Sequence, residues 1–175
     1  KTRVDVARLA AVVRDQPGRF IQTLRPSDFE VFDSGRMRPV SDFRQDVAGL
    51  SVALLFDISG SMEGQLAHAR EAATTVLGLL DPARDEAAVY QFDTRLEEAV
   101  PFTTGLRQLP VSMSTVKPFG ATSLFDAVAR TAQRVTVHQE RRHAVIVFTD
   151  GLDNASKLTA SQVSGIASSI DVPVY

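Results

Sequence analysis

The stretch that decides the fold reads VALLFDISGS and occupies residues 52–61. Its first half is a continuous apolar run, which predicts a strand buried on both faces of a sheet. Asp57, Ser59 and Ser61 follow that run, and a helical pattern begins near Met62. In an open α/β sheet, ligands bind in the crevice at the carboxyl ends of the strands, where the loops diverge. The stretch therefore predicts an oxygen-rich site between a central strand and a helix.

Buried strands and amphipathic helices alternate along the chain from Gly49 onward, a pattern typical of a mostly parallel sheet covered on both faces. Pro101 indicates an edge strand, and Pro110 interrupts a helix. We therefore predict an α/β fold in which helices flank a mostly parallel central sheet. The predicted strands span residues 52–56, 87–92, 100–103, 144–148 and 172–175. The predicted helices span residues 66–80, 106–116, 124–135 and 159–169.

Residues 1–48 have a different sequence pattern, with short β-rich runs at 4–9, 11–13 and 29–32. Two turn signals, Gln16-Pro17-Gly18 and Asp33-Ser34-Gly35, break these runs. We predict a small β-rich segment with a hairpin at the second turn. Two interpretations stay open for this segment: an extension packed on the main domain, or a separate immunoglobulin-like module that is only partly present. The main domain is then expected to span residues 49–175.

Composition and charge exclude several classes of function. The chain of 175 residues is 44% hydrophobic and 23% charged, which fits one sizeable globular core. Its net charge of -2 comes without a basic stripe, so nucleic acid is not expected as a partner. The absence of cysteine excludes disulfides, thiolate metal sites and a cysteine nucleophile. No stretch approaches the roughly 20 apolar residues that span a bilayer, and no signal peptide lies within the chain.

Two further oxygen-bearing segments are predicted at the same edge of the sheet as Asp57. Thr122 lies in the loop GATS before a helix, and Asp150 follows a strand in the sequence FTDG. Carboxylate and hydroxyl oxygens are hard donors, which suit Mg²⁺ or a similar hard dication. The topology therefore predicts that three loops contribute to one metal site.

This pattern resembles the von Willebrand factor A domain. The metal-ion-dependent adhesion site of that family is written Asp-x-Ser-x-Ser, followed by a Thr in a middle loop and an Asp after a later strand. The resemblance covers about residues 49–175 and implies a Rossmann-like fold from which the last helix, last strand and final helix are missing. The matching positions here are Asp57, Ser59, Ser61, Thr122 and Asp150.

The resemblance also implies a ligand set and an activity. The serines and the threonine would ligate a divalent cation through hydroxyls, and the aspartates would ligate it directly or through water. Mg²⁺ is the expected ion, and Mn²⁺ or Ca²⁺ is compatible. The ion would capture an Asp or Glu side chain of a protein partner, and the amino end of the helix near Met62 would favour the same anion. Residues 24–35 are similar to a segment that precedes such domains in secreted bacterial proteins, which implies a location beyond the cytoplasmic membrane.

Simpler roles are weighed for each of these residues and their neighbours. Asp57, Ser59 and Ser61 could cap a helix, and Thr122 could cap the one that begins at Leu124. Asp150 could be a turn residue. Asp153 and Asn154 are expected to shape their loop, and Asp93 and Asp126 to be structural or surface residues. We interpret Glu63, His68, His138 and His143 as surface or helix-face residues, and Arg141-Arg142-His143 as a solvated loop at the opposite end of the sheet.

Other functions are less compatible with the sequence. A phosphatase that uses a nucleophilic Asp needs an acid two residues later, and that position holds Ser59. Neither a Gly-x-Ser-x-Gly elbow nor a phosphate-binding Gly-rich loop is present. We therefore do not expect an enzyme. The remaining alternative is a structural or assembly domain of an envelope or secreted complex, in which the metal stabilises the fold.

Overall fold

The computed structural model describes the greater part of the chain. By its internal contacts, the chain divides into two compact units, Lys1–Val47 and Ala48–Tyr175. Among the described residues, no helix is both long enough and apolar enough to cross a lipid bilayer. The described residues are 9, 11, 13, 15, 16, 21, 23–43, 49–137 and 141–175.

A short antiparallel hairpin is the regular β structure of the first unit's described part. Strands β1 (Val31–Asp33) and β2 (Arg36–Arg38) pair with each other. Ser34 and Gly35 connect them with φ values of 51° and 77°, and a two-residue hairpin turn of type I′ requires a positive φ at both of its central residues. The hairpin predicted at this turn is present. The other predicted β-rich runs, at 4–9 and 11–13, and the turn at 16–18 lie largely outside the described residues.

The second unit is built on a sheet of four strands. Its strands occur in the order β5-β4-β3-β6, and β3 lies parallel to both of its neighbours. The edge strand β5 runs antiparallel to β4. The predicted α/β fold with a mostly parallel central sheet is therefore confirmed. The four strands are β3 (Leu50–Asp57), β4 (Glu86–Phe92), β5 (Leu96–Thr104) and β6 (Arg142–Phe148).

Helices cover both faces of this sheet. Along β3, Ala53 and Leu55 point into one apolar core, while Leu54 and Phe56 point into the other, as the two-residue period of a strand requires. Helices α3 and α4 contribute to the first core, and α1 and α2 contribute to the second. The helices are α1 (Leu66–Leu79), α2 (Val111–Thr115), α3 (Leu124–Val135) and α4 (Ala160–Ser169).

Three predicted elements differ from the observed ones. The helical pattern near Met62 forms a 3-10 turn over Gly60–Met62, because this segment contains glycine, and the regular helix begins at Leu66, where the predicted span 66–80 begins. The predicted helix 106–116 is reduced to α2, because Pro110 is compatible with a helix start but not with a helix interior. The predicted strand 172–175 forms a single parallel bridge, between Val174 and Val145 on β6.

The basic cluster 141–143 lies at the amino end of the sheet, as expected, but it is not a solvated loop: Arg142 and His143 begin β6, and Arg141 is half-buried. Its Nη1 donates to the carbonyl oxygen of Arg84 at 2.5 Å, and its Nε lies 3.7 Å from Oε1 of Glu86. Glu86 is a buried carboxylate on β4 that also accepts a hydrogen bond from the Ser51 hydroxyl at 2.5 Å. A buried charge needs such partners, and this need explains why the guanidinium turns inward.

Candidate metal centre

Asp57 occupies the carboxyl end of the central strand β3 and is completely buried. Its Oδ1 accepts the backbone N–H of Ser59 at 2.9 Å, and its Oδ2 accepts the hydroxyl of Thr149 at 2.8 Å. Both oxygens are thus held in place by neutral donors. Each carboxylate oxygen has a second lone-pair site, so Asp57 retains the capacity to bind a cation.

Ser59 and Ser61 place two hydroxyls side by side in the first loop, residues 57–61. Their Oγ atoms are 3.2 Å apart, with Ser59 buried and Ser61 exposed. Ser59 precedes the 3-10 turn but makes no side-chain cap hydrogen bond, and the N-cap of α1 is Gln65. The two serines therefore do not cap helix α1. The amino end of α1 also starts later than expected, which weakens the predicted contribution of its dipole to an anion site.

The second loop, residues 119–123, is joined to the first loop through the backbone. Phe119 N–H donates to the carbonyl oxygen of Ile58 at 2.9 Å, and Gly60 N–H donates to the carbonyl oxygen of Gly120 at 3.2 Å. Gly120 has a φ of 90°, a conformation that favours glycine. These contacts bring the buried Thr122 to the same end of the sheet as Asp57.

Thr122 does not cap helix α3, so that simpler role is wrong. The N-cap residue is Ser123, and it makes no side-chain cap hydrogen bond. The free N–H groups of the first turn are satisfied by a different part of the chain: Phe125 N–H donates to Asp153 at 3.1 Å, and Asp126 N–H donates to Ser156 at 3.1 Å. Because these groups act as caps from outside the helix, the fold does not require the Thr122 hydroxyl for that task.

The third loop, residues 149–155, contains Asp150, the last of the five sequence-predicted site residues. Asp150 is half-buried, and its Oδ1 accepts the N–H of Leu152 at 3.1 Å. Thr122 N–H donates to Oδ1 of Asn154 at 2.8 Å, and the N–H groups of Asn154 and Ala155 both donate to the carbonyl oxygen of Thr122. The second loop is thus bonded to the third, and the third is bonded to the first through Thr149.

Each of the three loops is therefore hydrogen-bonded to the other two, as the predicted topology requires. The five sequence-predicted residues lie in these loops and offer two carboxylates and three hydroxyls. Within the described ranges, no group of three or more His, Cys, Asp or Glu that could hold a metal occurs. A cation bound at these loops would thus depend on hydroxyl and water oxygens as well as on the two carboxylates, a donor chemistry that fits a hard dication.

Asp153 and Asp126 bind the third loop and the residues that follow it to helix α3. Burial alone would raise the pKa of Asp153, but the Ser156 hydroxyl and the backbone N–H groups of Phe125, Ser156 and Leu124 bond its carboxylate and leave the pKa lowered. In the other direction, Asp126 accepts the N–H groups of Lys157 and Leu158. The predicted structural roles of Asp153 and Asp126 are confirmed by these contacts.

Thr149 is a site residue that the sequence analysis missed. Phe56 pairs with Phe148 across the parallel strands β3 and β6, so the next residues along, Asp57 and Thr149, are adjacent. The signal is therefore the strand register, which the sequence alone does not provide. Glu63 and His68 are exposed as expected, while His138 lies outside the described residues.

Comparisons with known proteins identify the fold independently. The chain resembles the structure of an aerotolerance-related membrane protein from Bacteroides fragilis, with 21% identity, a TM-score of 0.63, and coverage of 72% of this chain and 65% of that one. BatB from Bacteroides thetaiotaomicron shares 21% identity with this chain at a TM-score of 0.61, and the match covers 72% of this chain and 64% of BatB. The pilus adhesin SpaC from Lactobacillus rhamnosus GG shares 17% identity with this chain at a TM-score of 0.50. The match covers 63% of this chain and 16% of the adhesin.

The chain thus spans just under two-thirds of the two Bacteroides proteins, at 65% and 64% of their lengths. No curated protein matches the sequence. The sequence profile of the von Willebrand factor type A domain family matches residues 52–152, more than half of the 175 residues. This chain belongs to the von Willebrand factor type A domain family.

Proposed function

We propose that the second unit is a metal-dependent protein-binding module that holds a divalent cation at the three loops and captures a carboxylate of a partner protein. The ligands would be Asp57, Ser59, Ser61, Thr122 and Asp150. The single observation that carries the proposal is the environment of Asp57, which is completely buried and accepts hydrogen bonds from neutral donors. Within residues 49–137 and 141–175, no Lys, Arg or His forms an ion pair with it.

A buried carboxylate without a cationic partner is costly, and a bound cation would remove that cost. Three of the five proposed ligands are neutral hydroxyls, and an aspartate that binds through water neutralises the ion less than one that binds it directly, so a dication held in this way would remain short of negative charge among its directly bound ligands. An anionic oxygen from outside would then be its preferred further ligand. Mg²⁺ is the first choice because it prefers octahedral oxygen sites and retains water ligands, through which an aspartate can bind, and Mn²⁺ or Ca²⁺ is also compatible.

The proposed partner is a protein that presents an Asp or Glu side chain, and the proposed location lies beyond the cytoplasmic membrane. Among proteins of similar structure, one is an aerotolerance-related membrane protein and another is a pilus adhesin. These similarities establish the fold, and they support the location and the adhesive role by analogy.

Binding is favoured over catalysis and over a purely structural metal. Ser59 occupies the position where a phosphatase of the aspartyl type would need its acid. A structural metal is less favoured because protein hydrogen bonds already join the three loops to one another. Removal of the metal is therefore expected to leave the fold cooperative and the loops in place.

The test is calorimetric titration of Mg²⁺, Mn²⁺ and Ca²⁺ into chelator-treated protein. Asp57→Asn and Asp150→Asn keep the size of the side chain and remove its charge, so both are expected to abolish saturable one-site binding. Glu63→Gln is the matched control, because Glu63 is exposed just past the first loop and is not among the proposed ligands. Equal binding by the parent and both Asn variants, or no binding by the parent at millimolar metal, contradicts the proposal.

A further inference from the structure

Two large apolar side chains are exposed on the loops that carry the proposed metal ligands. Phe119 in the second loop is 83% exposed, and Leu152 in the third loop is 59% exposed. Single exposed apolar residues are common on protein surfaces and need no explanation. These two, however, occur on separate segments of the chain that hydrogen bonds bring together at one site.

The backbone holds both residues in defined positions. Phe119 N–H donates to the carbonyl oxygen of Ile58 at 2.9 Å, and Leu152 N–H donates to Oδ1 of Asp150 at 3.1 Å. Each residue adjoins a left-handed glycine: Gly120, with φ 90°, follows Phe119, and Gly151, with φ 81°, precedes Leu152. The backbone at each residue is thus fixed while its side chain remains in water, a preorganised arrangement that reduces the entropy lost when a partner binds.

Chain geometry limits how far both residues can lie from two of the proposed ligands. Phe119 precedes Thr122 by three residues, and Leu152 follows Asp150 by two. Because consecutive Cα atoms are 3.8 Å apart, their Cα atoms lie within roughly 11 Å and 8 Å of those of the proposed ligands. Residues that flank a partner carboxylate bound at the ion would therefore be within reach of Phe119 or Leu152.

We propose that Phe119 and Leu152 form an apolar rim that selects partners in which the acidic residue is flanked by apolar side chains. This inference rests on the proposed function of the metal site. Contact with the rim removes apolar surface of both partners from water, which is favourable. A charged flanking residue would instead lose hydration without gaining an ionic partner, which is unfavourable. The ion supplies the anchor for the carboxylate, and the rim supplies the discrimination between acidic sequences.

The test uses two synthetic peptides that are identical except at the residues on either side of a single Asp, which are Leu in one peptide and Gly in the other. Their dissociation constants are measured by fluorescence anisotropy in Mg²⁺ and in EDTA. The parent protein is expected to bind the Leu-flanked peptide about tenfold more tightly or better in Mg²⁺, the scale of one good interface contact. In EDTA, both peptides are expected to lose binding.

The double substitution Phe119→Ser and Leu152→Ser is expected to reduce this preference to less than about threefold, while calorimetry still detects Mg²⁺ binding with the parent affinity. Leu79→Ser is the control, since Leu79 is 82% exposed at the end of α1 and outside the three loops. It is expected to leave the preference intact.

The outcomes separate the two proposals. If Mg²⁺ binds but the parent does not distinguish the peptides, fails to bind either of them, or keeps its preference in the double variant, the rim is overturned and the metal site is retained. If Mg²⁺ does not bind, the proposed function fails and the rim fails with it. Preference for the Leu-flanked peptide that persists in EDTA also overturns the inference, because the anchor would then not be the ion.

Discussion

Asp57 at the carboxyl end of the sheet and Glu86 at its amino end are both buried carboxylates, with exposed fractions of 0% and 7%. Glu86 has a cation beside it, since Arg141 Nε lies 3.7 Å from its Oε1. Asp57 accepts hydrogen bonds from the neutral groups of Ser59 and Thr149. Glu86 begins β4 and Asp57 ends the neighbouring strand β3, so two adjacent strands hold one carboxylate that the protein neutralises and one that it orients without neutralising. The difference indicates that the environment of Asp57 is suited to bind a cation taken up from solution.

The largest expected effect concerns the amino end, where Arg141→Met would remove the cation beside Glu86. Because the carboxylate then remains buried without its guanidinium, we expect the free energy of unfolding to fall by about 3 kcal/mol. Urea denaturation measures this loss, which should be the same in Mg²⁺ and in EDTA. Arg130→Met, at an exposed position on α3, is the control and should change stability by less than about 0.5 kcal/mol.

A loss below about 1 kcal/mol in Arg141→Met would mean that the two ends of the sheet do not differ as described. A loss that depends on Mg²⁺ would mean that the amino end is itself linked to the metal.

Asp57→Asn is expected to have the opposite pattern. In EDTA it should leave the free energy of unfolding unchanged or raise it by about 1 kcal/mol, because an uncompensated buried charge is removed. Mg²⁺ at one hundred times its dissociation constant should stabilise the parent by about 2.7 kcal/mol and the variant not at all. Thermal and urea unfolding measure the stability of the parent and of the variant, each with Mg²⁺ and in EDTA.

Asp126→Asn is the matched control for the direction of the stability change in Asp57→Asn. Asp126 is a carboxylate that accepts backbone N–H groups of Lys157 and Leu158, so its substitution should cost about 1 kcal/mol in both buffers. If Asp57→Asn also lowers the free energy of unfolding by about the same amount in both buffers, then Asp57 is an ordinary structural carboxylate. The contrast between Asp57 and Glu86 would then be wrong.

Thr149→Val sharpens the comparison at the residue that orients Asp57. The substitution keeps the shape of the side chain and removes the hydroxyl that donates to Oδ2 of Asp57. We expect the Mg²⁺ affinity to fall about tenfold, as it does when a group that orients a metal ligand is lost. Calorimetry measures the change; Thr159→Val, at the N-cap of α4, should leave the affinity unaltered. An unaltered affinity in Thr149→Val would show that Asp57 does not need this orientation.

These predictions use residues of two kinds, and the sequence revealed only one of them. The apolar run of β3 and the oxygen-bearing residues at predicted strand ends were sufficient to place Asp57, Ser59, Ser61 and Asp150 in their elements. Local patterns could do this because strand period and turn chemistry act over a few residues. Thr149 and Arg141 were not recognised, since their partners lie 92 and 55 residues away in sequence and depend on strand register.

Tertiary contacts also decided which residues cap the helices. Thr122 was a reasonable cap for α3 by sequence, yet Asp153 in the third loop and Ser156 just after it satisfy its first turn. Similarly, α1 begins at Leu66 and not near Met62, because the first loop is bonded to the second at Gly60 and continues into a 3-10 turn. In both cases, contacts between loops override the local capping preference.

The smallest expected effect is the pH dependence of the contact between the third loop and α3. The pKa of Asp153 is lowered in the folded chain, so its contribution to stability is present above the ordinary Asp pKa of about 3.9 and is lost as the pH falls through the folded value. Asp153→Asn should therefore be less stable than the parent at pH 7, and the difference should shrink toward pH 3. Urea denaturation at several pH values measures it; a difference that is constant across this range would contradict the assignment.

The most direct test of the central claim is an anomalous difference map from crystals grown with Mn²⁺. The account predicts one strong peak enclosed by the three loops, within about 2–2.6 Å of the hydroxyl oxygens of Ser59 and Ser61 and bound to Asp57 and Asp150 directly or through water. A map at saturating Mn²⁺ with no peak between these loops, or with its peak elsewhere on the second unit, would contradict it.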